Sequence, residues 1–309
     1  MNAKAQPLPI QVRKLMVAFD IGGISDAALA RGLELAALFD ARLEVVHAIG
    51  LAGSHFELLP TPIAVASELD PLTLVREKLV GYVGKLLEQN KKSQGSAAEI
   101  LHVAAGRPAT VLVDRARESN ADLIVMGAVR KRKLFDFGST ARGVFAKAPC
   151  AVWVQPDIPK PIRTILVAVD FSTESAHALA TAIDLGRRLG SRVHALHVFD
   201  PSPLDLDDWY GVGTFGTIEL ARKATAEAFE RQMAGVHWHG VKHDWELVSG
   251  TPAPQILEQA EQADLLLMGT HGRTGFSAAV LGNIAYSVLV RAPGPVMVVR
   301  DPARKFAHG

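Results

Sequence analysis

The sequence contains little that would tie it to an oxidising compartment, a membrane or a nucleic acid. Its 309 residues include one cysteine, Cys150, so no disulfide can form within the chain. Aromatic residues make up only 6% of the chain, and no apolar run approaches the ~18 residues of a membrane-spanning helix. Neither charge sign dominates, because 33 Lys and Arg stand against 32 Asp and Glu, a formal net charge of +1. Residues 1–14 lack the apolar core of a signal peptide. These absences predict a cytoplasmic protein with neither a nucleic acid nor a membrane as its partner.

What the sequence does contain is one pattern that occurs twice. Residues 17–47 align without a gap with residues 167–197, at a constant offset of 150. Three shorter blocks then recur in the same order: Gly-x-Pro-Ala from Gly106 and Gly250, Ala-Asp followed by three apolar residues and Met-Gly from Ala121 and Ala263, and Ala-Pro from Ala148 and Ala292. Four blocks in one order indicate a duplicated domain of about 150 residues.

The duplication predicts two domains, residues 1–156 and residues 160–309. Between them lies the stretch 155–161, in which three of seven residues are proline, as is typical of a linker. With 49% hydrophobic residues the chain can bury two ordinary cores of that size.

Each copy alternates apolar strands with amphipathic helices. In the second copy, Thr164–Val169 is an apolar, β-branched run typical of a strand covered on both faces. Ser172 and Ser175 offer capping side chains to a helix whose apolar stripe includes Leu179 and Ile183, and 192–198 predicts the next strand. Continued through both copies, this alternation predicts an α/β protein with two open, doubly wound, parallel five-stranded sheets in the strand order 3-2-1-4-5.

Parallel α/β sheets bind ligands beyond the carboxyl ends of their strands, where the strand order reverses. For this order the crevice lies between the first and fourth strands of each copy. In the second copy Asp170 leaves the first of these strands and Gly269 leaves the fourth. These two residues are therefore the predicted walls of a ligand site.

Glycines continue beyond the fourth strand of the second copy. Gly269, Gly272 and Gly275 let backbone amides approach an anion, and Gly282-Asn283 opens a helix whose N-terminal N–H groups favour phosphate. The alternative is that the glycines only permit turns, and the number of glycines does not by itself decide between the two.

The spacing of these glycines resembles that of the universal stress protein family. Gly269-x2-Gly272-x9-Gly282 follows a strand of the Ala-Asp-(apolar)-Met-Gly type and an earlier strand that ends in Val-Ala-Val-Asp170. Nucleotide-binding members of that family carry G-x2-G-x9-G-[S/T] and bind ATP between the first and fourth strands. The resemblance covers residues 14–154 and 162–300, so it implies a tandem universal stress protein with the adenine nucleotide alpha-hydrolase-like fold.

The resemblance also implies roles for particular residues of the second copy. It places Asp170 beside the ribose or adenine of ATP, with or without Mg²⁺, and it makes the stretch from Val193 to Val198 part of the adenine wall. The phosphates would be held by the loop and by the start of the following helix, which comprise Gly269, Gly272, Arg273, Gly275, Gly282 and Asn283. Asn283 departs from the family pattern, which has Ser or Thr there. Its amide can still hydrogen-bond a phosphate, but it is bulkier than a hydroxyl.

The first copy departs further from the pattern. Arg130 stands at the second glycine, and Gly127 is 11 positions from Gly138 where the second copy has 13. We therefore expect no standard ATP site in the first copy. Gly138-Ser139 before a helix could take an anion with help from the basic run 130–133, but a solvated basic loop is the favoured interpretation.

Other chemistry has little support in the sequence. The chain has no phosphate-loop, nucleophile-elbow or HExxH motif. His237, His239 and His243 have conceivable metal spacing, but no companion Cys or acidic motif supports zinc, so we predict no metal site. His47 and His197 end matching strands, which suggests a shared structural or crevice-lining role.

The preferred hypothesis is a cytoplasmic stress-response protein that binds ATP or a related phosphorylated ligand in its C-terminal half. No residue is an obvious general base, so we assign no catalytic residue and expect a regulatory role with at most slow hydrolysis. The alternative is a non-nucleotide scaffold for another small molecule or a protein partner; an enzyme of the wider adenine nucleotide alpha-hydrolase-like group is disfavoured. Since the last strands of this family pair across a dimer, the resemblance implies an intrachain pseudo-dimer through 152–154 and 296–299, and leaves a homodimer open.

Overall fold

The computed structural model describes residues 7–20, 23–50, 71–90, 95–131, 134–136, 138–202, 214–270 and 282–300. These residues divide into two compact units. The N-terminal unit comprises the described part of 11–159, and the C-terminal unit comprises 160–300 together with the segment 7–10.

The N-terminal unit contains a five-stranded parallel sheet with the order β3-β2-β1-β4-β7. Its first strand, β1, pairs with both β2 and β4, so the strand order reverses at β1. Its elements in chain order are β1 (Lys14–Ala18), α1 (Gly23–Phe39), β2 (Arg42–Ile49), α2 (Pro71–Asn90), α3 (Ala97–Ile100), β3 (Leu101–Ala105), α4 (Pro108–Glu118), β4 (Leu123–Gly127), β5 (Val129–Lys131), β6 (Leu134–Asp136), α5 (Ser139–Lys147) and β7 (Ala151–Gln155).

The C-terminal unit repeats this plan with the order β10-β9-β8-β11-β12, again with all strands parallel. The predicted fold class and the strand order 3-2-1-4-5 are therefore confirmed in each unit. Its elements are β8 (Thr164–Ala168), α6 (Thr173–Leu189), β9 (Arg192–Phe199), α7 (Thr214–Ala234), β10 (His243–Ser249), α8 (Pro252–Ala260), β11 (Leu265–Gly269), α9 (Asn283–Arg291) and β12 (Val296–Val299).

Buried apolar residues explain why these strands lie in the middle of each unit. The central three residues of β1 and of β8 are buried, as expected for strands covered on both faces. Helix α6 begins at the predicted cap, where the Ser172 side chain accepts the Ser175 N–H, and it ends at Gly190, whose φ of 69° suits glycine. Its predicted apolar stripe is buried, with Leu179 at 3% and Ile183 at 2% exposure.

The aspartate of each repeated Ala-Asp block joins the entries of two strands. Asp122 Oδ2 accepts the backbone N–H groups of Arg13 and Lys14 at 2.8 and 2.9 Å, immediately before and at the start of β1. Asp264 Oδ2 accepts those of Arg163 and Thr164 at the same two distances. Since a charged acceptor strengthens a hydrogen bond, each aspartate fixes the first strand beside the fourth. The block therefore has a structural role in both units.

The repeated Gly-x-Pro-Ala block forms the turn from the third strand into the next helix. Gly106 and Gly250 have φ values of +148° and +143°, a region that side-chain-bearing residues rarely adopt. The prolines that follow occupy the first turn of α4 and of α8, where a missing N–H costs nothing.

The sequence alternation predicts the third strand of the N-terminal unit near residues 99–103, and the strand is there but begins two residues later, as β3. The short helix α3 precedes it, because the Glu99 carboxylate accepts the Ser96 N–H at 2.8 Å and starts that helix. That hydrogen bond lowers the pKa of Glu99. Within the basic run expected to be a solvated loop, residues 130 and 131 belong to β5, which pairs antiparallel with β6. Whether the run is solvated stays a prediction. Among the described residues, no helix is long and apolar enough to cross a membrane.

Candidate functional site

The carboxyl ends of β8, β9 and β11 surround a cavity of ≈ 390 Å³ in the C-terminal unit. This volume falls within the ~300–1,000 Å³ typical of small-molecule sites. Asp170 and Gly269 both line the cavity, as the strand order predicted. The described residues that line it are Ala168, Val169, Asp170, Ser175, Leu196, Val198, Pro252, Ile256, Met268, Gly269, Thr270, Gly282, Asn283, Ile284 and Ala285.

The N-termini of three helices meet at this cavity. Ser175 belongs to the first turn of α6, Pro252 is the first residue of α8, and Asn283 is the first residue of α9. A helix N-terminus carries a partial positive charge and backbone N–H groups that lack a partner within the helix. The N-cap of α9 is Gly282, which has no side chain to accept those N–H groups. This end of the cavity therefore offers backbone N–H groups and a partial positive charge near Asn283.

A short hydrogen-bond network holds the Asp170 carboxylate at the cavity wall. Asp170 Oδ1 accepts the Ser172 N–H at 3.0 Å and the Ser172 hydroxyl at 2.5 Å. The backbone N–H of Asp170 in turn donates to Ser175 Oγ at 3.2 Å. Because the same serines start α6, the orientation of the carboxylate and the start of the helix depend on one another.

Apolar side chains supply most of the remaining wall. Leu196 and Val198 come from β9, Met268 comes from the end of β11, and Ile256 and Ile284 come from α8 and α9. Such a wall suits the faces of a flat, apolar ring. Asp170 is the one charged side chain among the described lining residues.

Val193, which was expected in the adenine wall, lies elsewhere. It is fully buried near the amino end of β9, where it pairs with Ile165 and packs against Gly186. Val198 is five residues further along the strand, or about 16 Å, and does line the cavity. Leu196, which sequence reasoning did not single out, is a lining residue instead.

Gly269 has a packing role that does not depend on any ligand. A Cβ at this position would lie 2.8 Å from the Cβ of Glu174 in α6. Gly127, at the same place in the N-terminal unit, has the same constraint, because a Cβ there would lie 2.7 Å from the carbonyl oxygen of Ile24. The glycine that ends the fourth strand is thus explained by the close approach of the first helix in both units.

The start of α9 is joined to the end of β11 by backbone hydrogen bonds. Gly282 N–H donates to Thr270 O at 2.9 Å, and Gly282 O accepts the Tyr286 N–H at 2.9 Å. Thr270 N–H donates to Val299 O, so the segment is also held to β12. The predicted loop residues Gly272, Arg273 and Gly275 lie outside the described residues, as does His271, and their assignment to the site stays a prediction.

His47 and His197 have a structural role. Their Nδ1 atoms lie 2.9 Å from Phe19 O and 2.7 Å from Val169 O, and since a carbonyl only accepts, Nδ1 carries the proton in each ring. Each histidine thus ties the second strand to the end of the first. Neither is among the residues that line the cavity.

The histidines near β10 are engaged in contacts of their own. His243 donates from Nδ1 to Val241 O at 2.7 Å and stacks on Trp238 with ring centroids 4.1 Å apart. In the part of the chain that the structure describes, no three His, Cys, Asp or Glu side chains are grouped so as to hold a metal.

Some lining residues were not predicted from the sequence. The signal for Pro252 was present, because the repeated Gly-x-Pro-Ala block places a helix start at the carboxyl end of the third strand. Ile256 follows one turn later on the same helix. Met268 belongs to a block that was recognised as a repeat but was not considered for ligand contact.

The fold and the cavity together define a doubly wound α/β protein with a cavity that faces helix N-termini. A profile of the Universal stress protein family matches residues 11–156 and again residues 161–300. The chain therefore belongs to the universal stress protein family, a family of stress-response proteins, and the recognition made from the glycine spacing is confirmed.

Individual proteins agree with this assignment. A universal stress protein of Mycolicibacterium smegmatis is 27% identical over 302 residues, covering 93% of this chain and 96% of that protein. One of Mycobacterium bovis is 30% identical over 248 residues, covering 72% and 74% respectively. Among solved structures, a universal stress protein from Archaeoglobus fulgidus matches with a TM-score of 0.67 and 21% identity over 94% of this chain and 99% of that one, which shows a shared fold.

Proposed function

We propose that the C-terminal unit binds ATP or a related phosphorylated ligand in the cavity between β8 and β11, and that this binding serves a regulatory role in the stress response. The observation that carries the proposal is the meeting of Asp170, an apolar wall and the uncapped N-terminus of α9 around one cavity. A nucleotide has a matching group for each: ribose hydroxyls, a flat base and phosphate oxygens.

Each part of the nucleotide is assigned to a part of the cavity on chemical grounds. The base lies against Leu196 and Val198, where an apolar surface buries its faces. Ribose hydroxyls donate to Asp170, whose Oδ1 is already oriented by Ser172. The phosphates lie at the first-turn N–H groups of α9, where the helix dipole favours negative charge.

The charges of the wall affect the form of the ligand. Asp170 is the one charged side chain among the described lining residues, so this part of the wall offers a triphosphate backbone dipoles only. The basic side chain predicted to hold the phosphates, Arg273, lies outside the described residues. Mg²⁺ carried with the nucleotide would lower the charge that these dipoles must balance. We therefore expect ATP to bind more tightly with Mg²⁺ than without it.

Calorimetric titration with ATP, in the presence and absence of Mg²⁺, tests this proposal directly. We expect one site per chain. Asp170→Asn should weaken binding by about tenfold to a hundredfold, because a hydrogen bond to a charged group contributes about 1.5–3 kcal/mol. The matched control is Asp20→Asn, which changes the equivalent aspartate of the N-terminal unit and should leave the affinity unchanged.

A second variant, Gly272→Arg, is suggested by the sequence. It introduces the residue that the N-terminal unit has at the equivalent position, Arg130. It should abolish ATP binding without unfolding the protein. Absence of both heat and thermal shift in the wild type at millimolar ATP would defeat the proposal. If mass spectrometry of the purified protein then released a lipid or other metabolite instead of a nucleotide, the scaffold hypothesis would replace it.

A further inference from the structure

Residues 7–10 belong to the C-terminal unit, although they precede the first strand of the N-terminal one. The segment reads Pro7-Leu8-Pro9-Ile10, and its two prolines restrict the backbone to an extended form. The large side chain of Leu8 is 75% exposed, so apolar burial of that residue does not hold the segment in place.

Backbone atoms of the segment are bound by two side chains of α6. His177 Nδ1 lies 3.0 Å from Leu8 O, although the two residues are 169 positions apart, and the ring nitrogen is the donor because a carbonyl only accepts. Ile10 N–H donates to Thr181 Oγ1 at 3.2 Å. The two side chains are four residues apart, so they lie on one face of the helix in successive turns.

The same helix forms part of the proposed ligand site. Ser175 in its first turn lines the cavity, and Glu174 beside it packs against Gly269 at the end of β11. His177 lies two positions after Ser175, a rise of about 3 Å along the helix. A displacement of α6 at His177 would therefore also displace Ser175 at the cavity wall.

We propose that residues 7–10 act as a strap that holds α6 in its ligand-binding position, so that release of the strap weakens ligand binding in the cavity. The link to the ligand rests on the proposed function. Because binding free energies are reciprocal, the ligand in turn strengthens the attachment of the strap. Residues 7–10 thus occupy the face of α6 that presents His177 and Thr181. Release of this segment from α6 gives the protein a means of regulation.

Hydrogen exchange and ATP titration on four proteins, the wild type and three variants, test the strap. Deletion of residues 2–10 removes it, and Thr181→Val removes one acceptor while nearly preserving side-chain volume. We expect amides of α6 near residues 177–181 to exchange about twofold to tenfold faster in Thr181→Val, and faster still in the deletion variant. The deletion should also weaken ATP binding by about fivefold or more.

Thr225→Val is the matched control. Thr181 Oγ also donates to His177 O, and Thr225 makes the same bond to Ala221 O in α7 without contacting the strap. This variant should leave exchange in α6 unchanged. Helix α1, in the other unit, serves as the internal reference in every sample.

The possible outcomes separate the strap from the proposed function. Equal α6 exchange in the wild type and the deletion variant would overturn the strap, whatever ATP does. Faster exchange with unchanged ATP affinity would overturn its link to the ligand. If the wild type bound no ATP, the proposed function would fail, and α6 exchange alone would decide whether the strap exists.

Discussion

The two units share a framework and differ in what surrounds the end of the first strand. Both have the same strand order, the same aspartate at the entry of the fourth strand and the same histidine bound to the end of the first strand. Beside that shared frame, Val169 and Ala176 of the C-terminal unit correspond to Phe19 and Asp26 of the N-terminal unit. Val169 lines the cavity of the C-terminal unit and Ala176 follows the lining residue Ser175, so the two units differ at or beside the proposed site.

The N-terminal unit has larger and more acidic side chains at this place. The Phe19 ring lies 6.0 Å from the ring of Tyr82 in α2, and the Tyr82 hydroxyl donates to both carboxylate oxygens of Asp26 at 3.1 and 2.9 Å. Both first helices have a carboxylate in the first turn, Asp26 in α1 and Glu174 in α6, so an acidic helix start does not distinguish the units. The prediction that ATP binds to the C-terminal unit alone therefore rests on the glycine pattern and not on this carboxylate.

A second difference lies further along the first helix. Arg31 in α1 is only 4% exposed, donates to Glu34 and Gln155, and lies over the Trp153 ring at 5.6 Å. Burial lowers the pKa of Arg31, whereas the charge of Glu34 raises it. The equivalent position in α6 is Thr181, which binds the strap instead. One helix position thus serves core packing in one unit and attachment of a segment in the other.

The largest expected effect comes from placing a negative charge at the start of α9. Asn283→Asp should stabilise the helix slightly, because a carboxylate suits a helix N-terminus, yet it should repel phosphate. Two charges about 4 Å apart interact by about 1–4 kcal/mol at effective dielectric constants between those of water and the protein surface, so we expect ATP affinity to fall from about fivefold to several hundredfold. Calorimetry measures this fall.

Ser139→Asp is the matched variant at the start of α5. It should stabilise its helix to a similar extent and leave ATP binding unchanged. Equal losses of affinity in the two variants would show that the ligand is not confined to the C-terminal unit, and no loss in Asn283→Asp would remove α9 from the site.

Replacing the glycines that end the fourth strands should have the next largest effect. A Cβ at position 269 or 127 would contact the first helix at 2.8 or 2.7 Å, so Gly269→Ala and Gly127→Ala should each lower the free energy of unfolding by about 1–3 kcal/mol. Urea denaturation measures both. If only Gly127→Ala were destabilising, the packing explanation would fail for the C-terminal unit and Gly269 would be a residue of the ligand site alone.

The smallest effect concerns the acidic pair of the N-terminal unit. The hydrogen bond to Asp26, together with burial and the charge of Asp26, raises the pKa of Tyr82. The folded state therefore holds the Tyr82 proton more tightly than the unfolded state, so this stabilisation is fully present below about pH 10 and is lost as the pH rises through the folded pKa. Ultraviolet titration of tyrosinate should show this pKa fall in Asp26→Ala.

Tyr82→Phe identifies the Tyr82 contribution in that titration, since the chain has only three tyrosines. An unchanged alkaline titration in Asp26→Ala would mean that the pair does not form in solution.

The parts of the fold that were predicted from the sequence are those with a strong apolar signal. The strands are continuous apolar runs, as in β8, and helices such as α6 have an apolar stripe with a period of 3.6 residues. A parallel order then brings Asp170 and Gly269 to one crevice. The hairpin of β5 and β6 has three residues per strand, too few for a period to be recognised. The signal for α3 is the pair Ser96 and Glu99, which start the helix. The apolar residues of β3 follow directly and favoured the prediction of a strand there.

Hydrogen bonds made by backbone atoms could not be predicted from the sequence. The strap is held through Leu8 O and Ile10 N–H, and any residue other than proline would offer the same groups at position 10. The position of Val193 was misjudged for a different reason. The resemblance assigned the whole stretch from Val193 to Val198 to the adenine wall. Only the carboxyl end of a strand, however, reaches the crevice of a parallel sheet.

The glycine at the start of α9 has a consequence for how the protein responds to its surroundings. In α6 the Ser172 side chain accepts a first-turn N–H, so that helix start needs no ligand. In the proposed complex the phosphate would take this part for α9, and the order of its first turn would then depend on the ligand concentration. Ile284 and Tyr286, both exposed, lie at that helix start, so their surroundings would differ between the filled and the empty cavity.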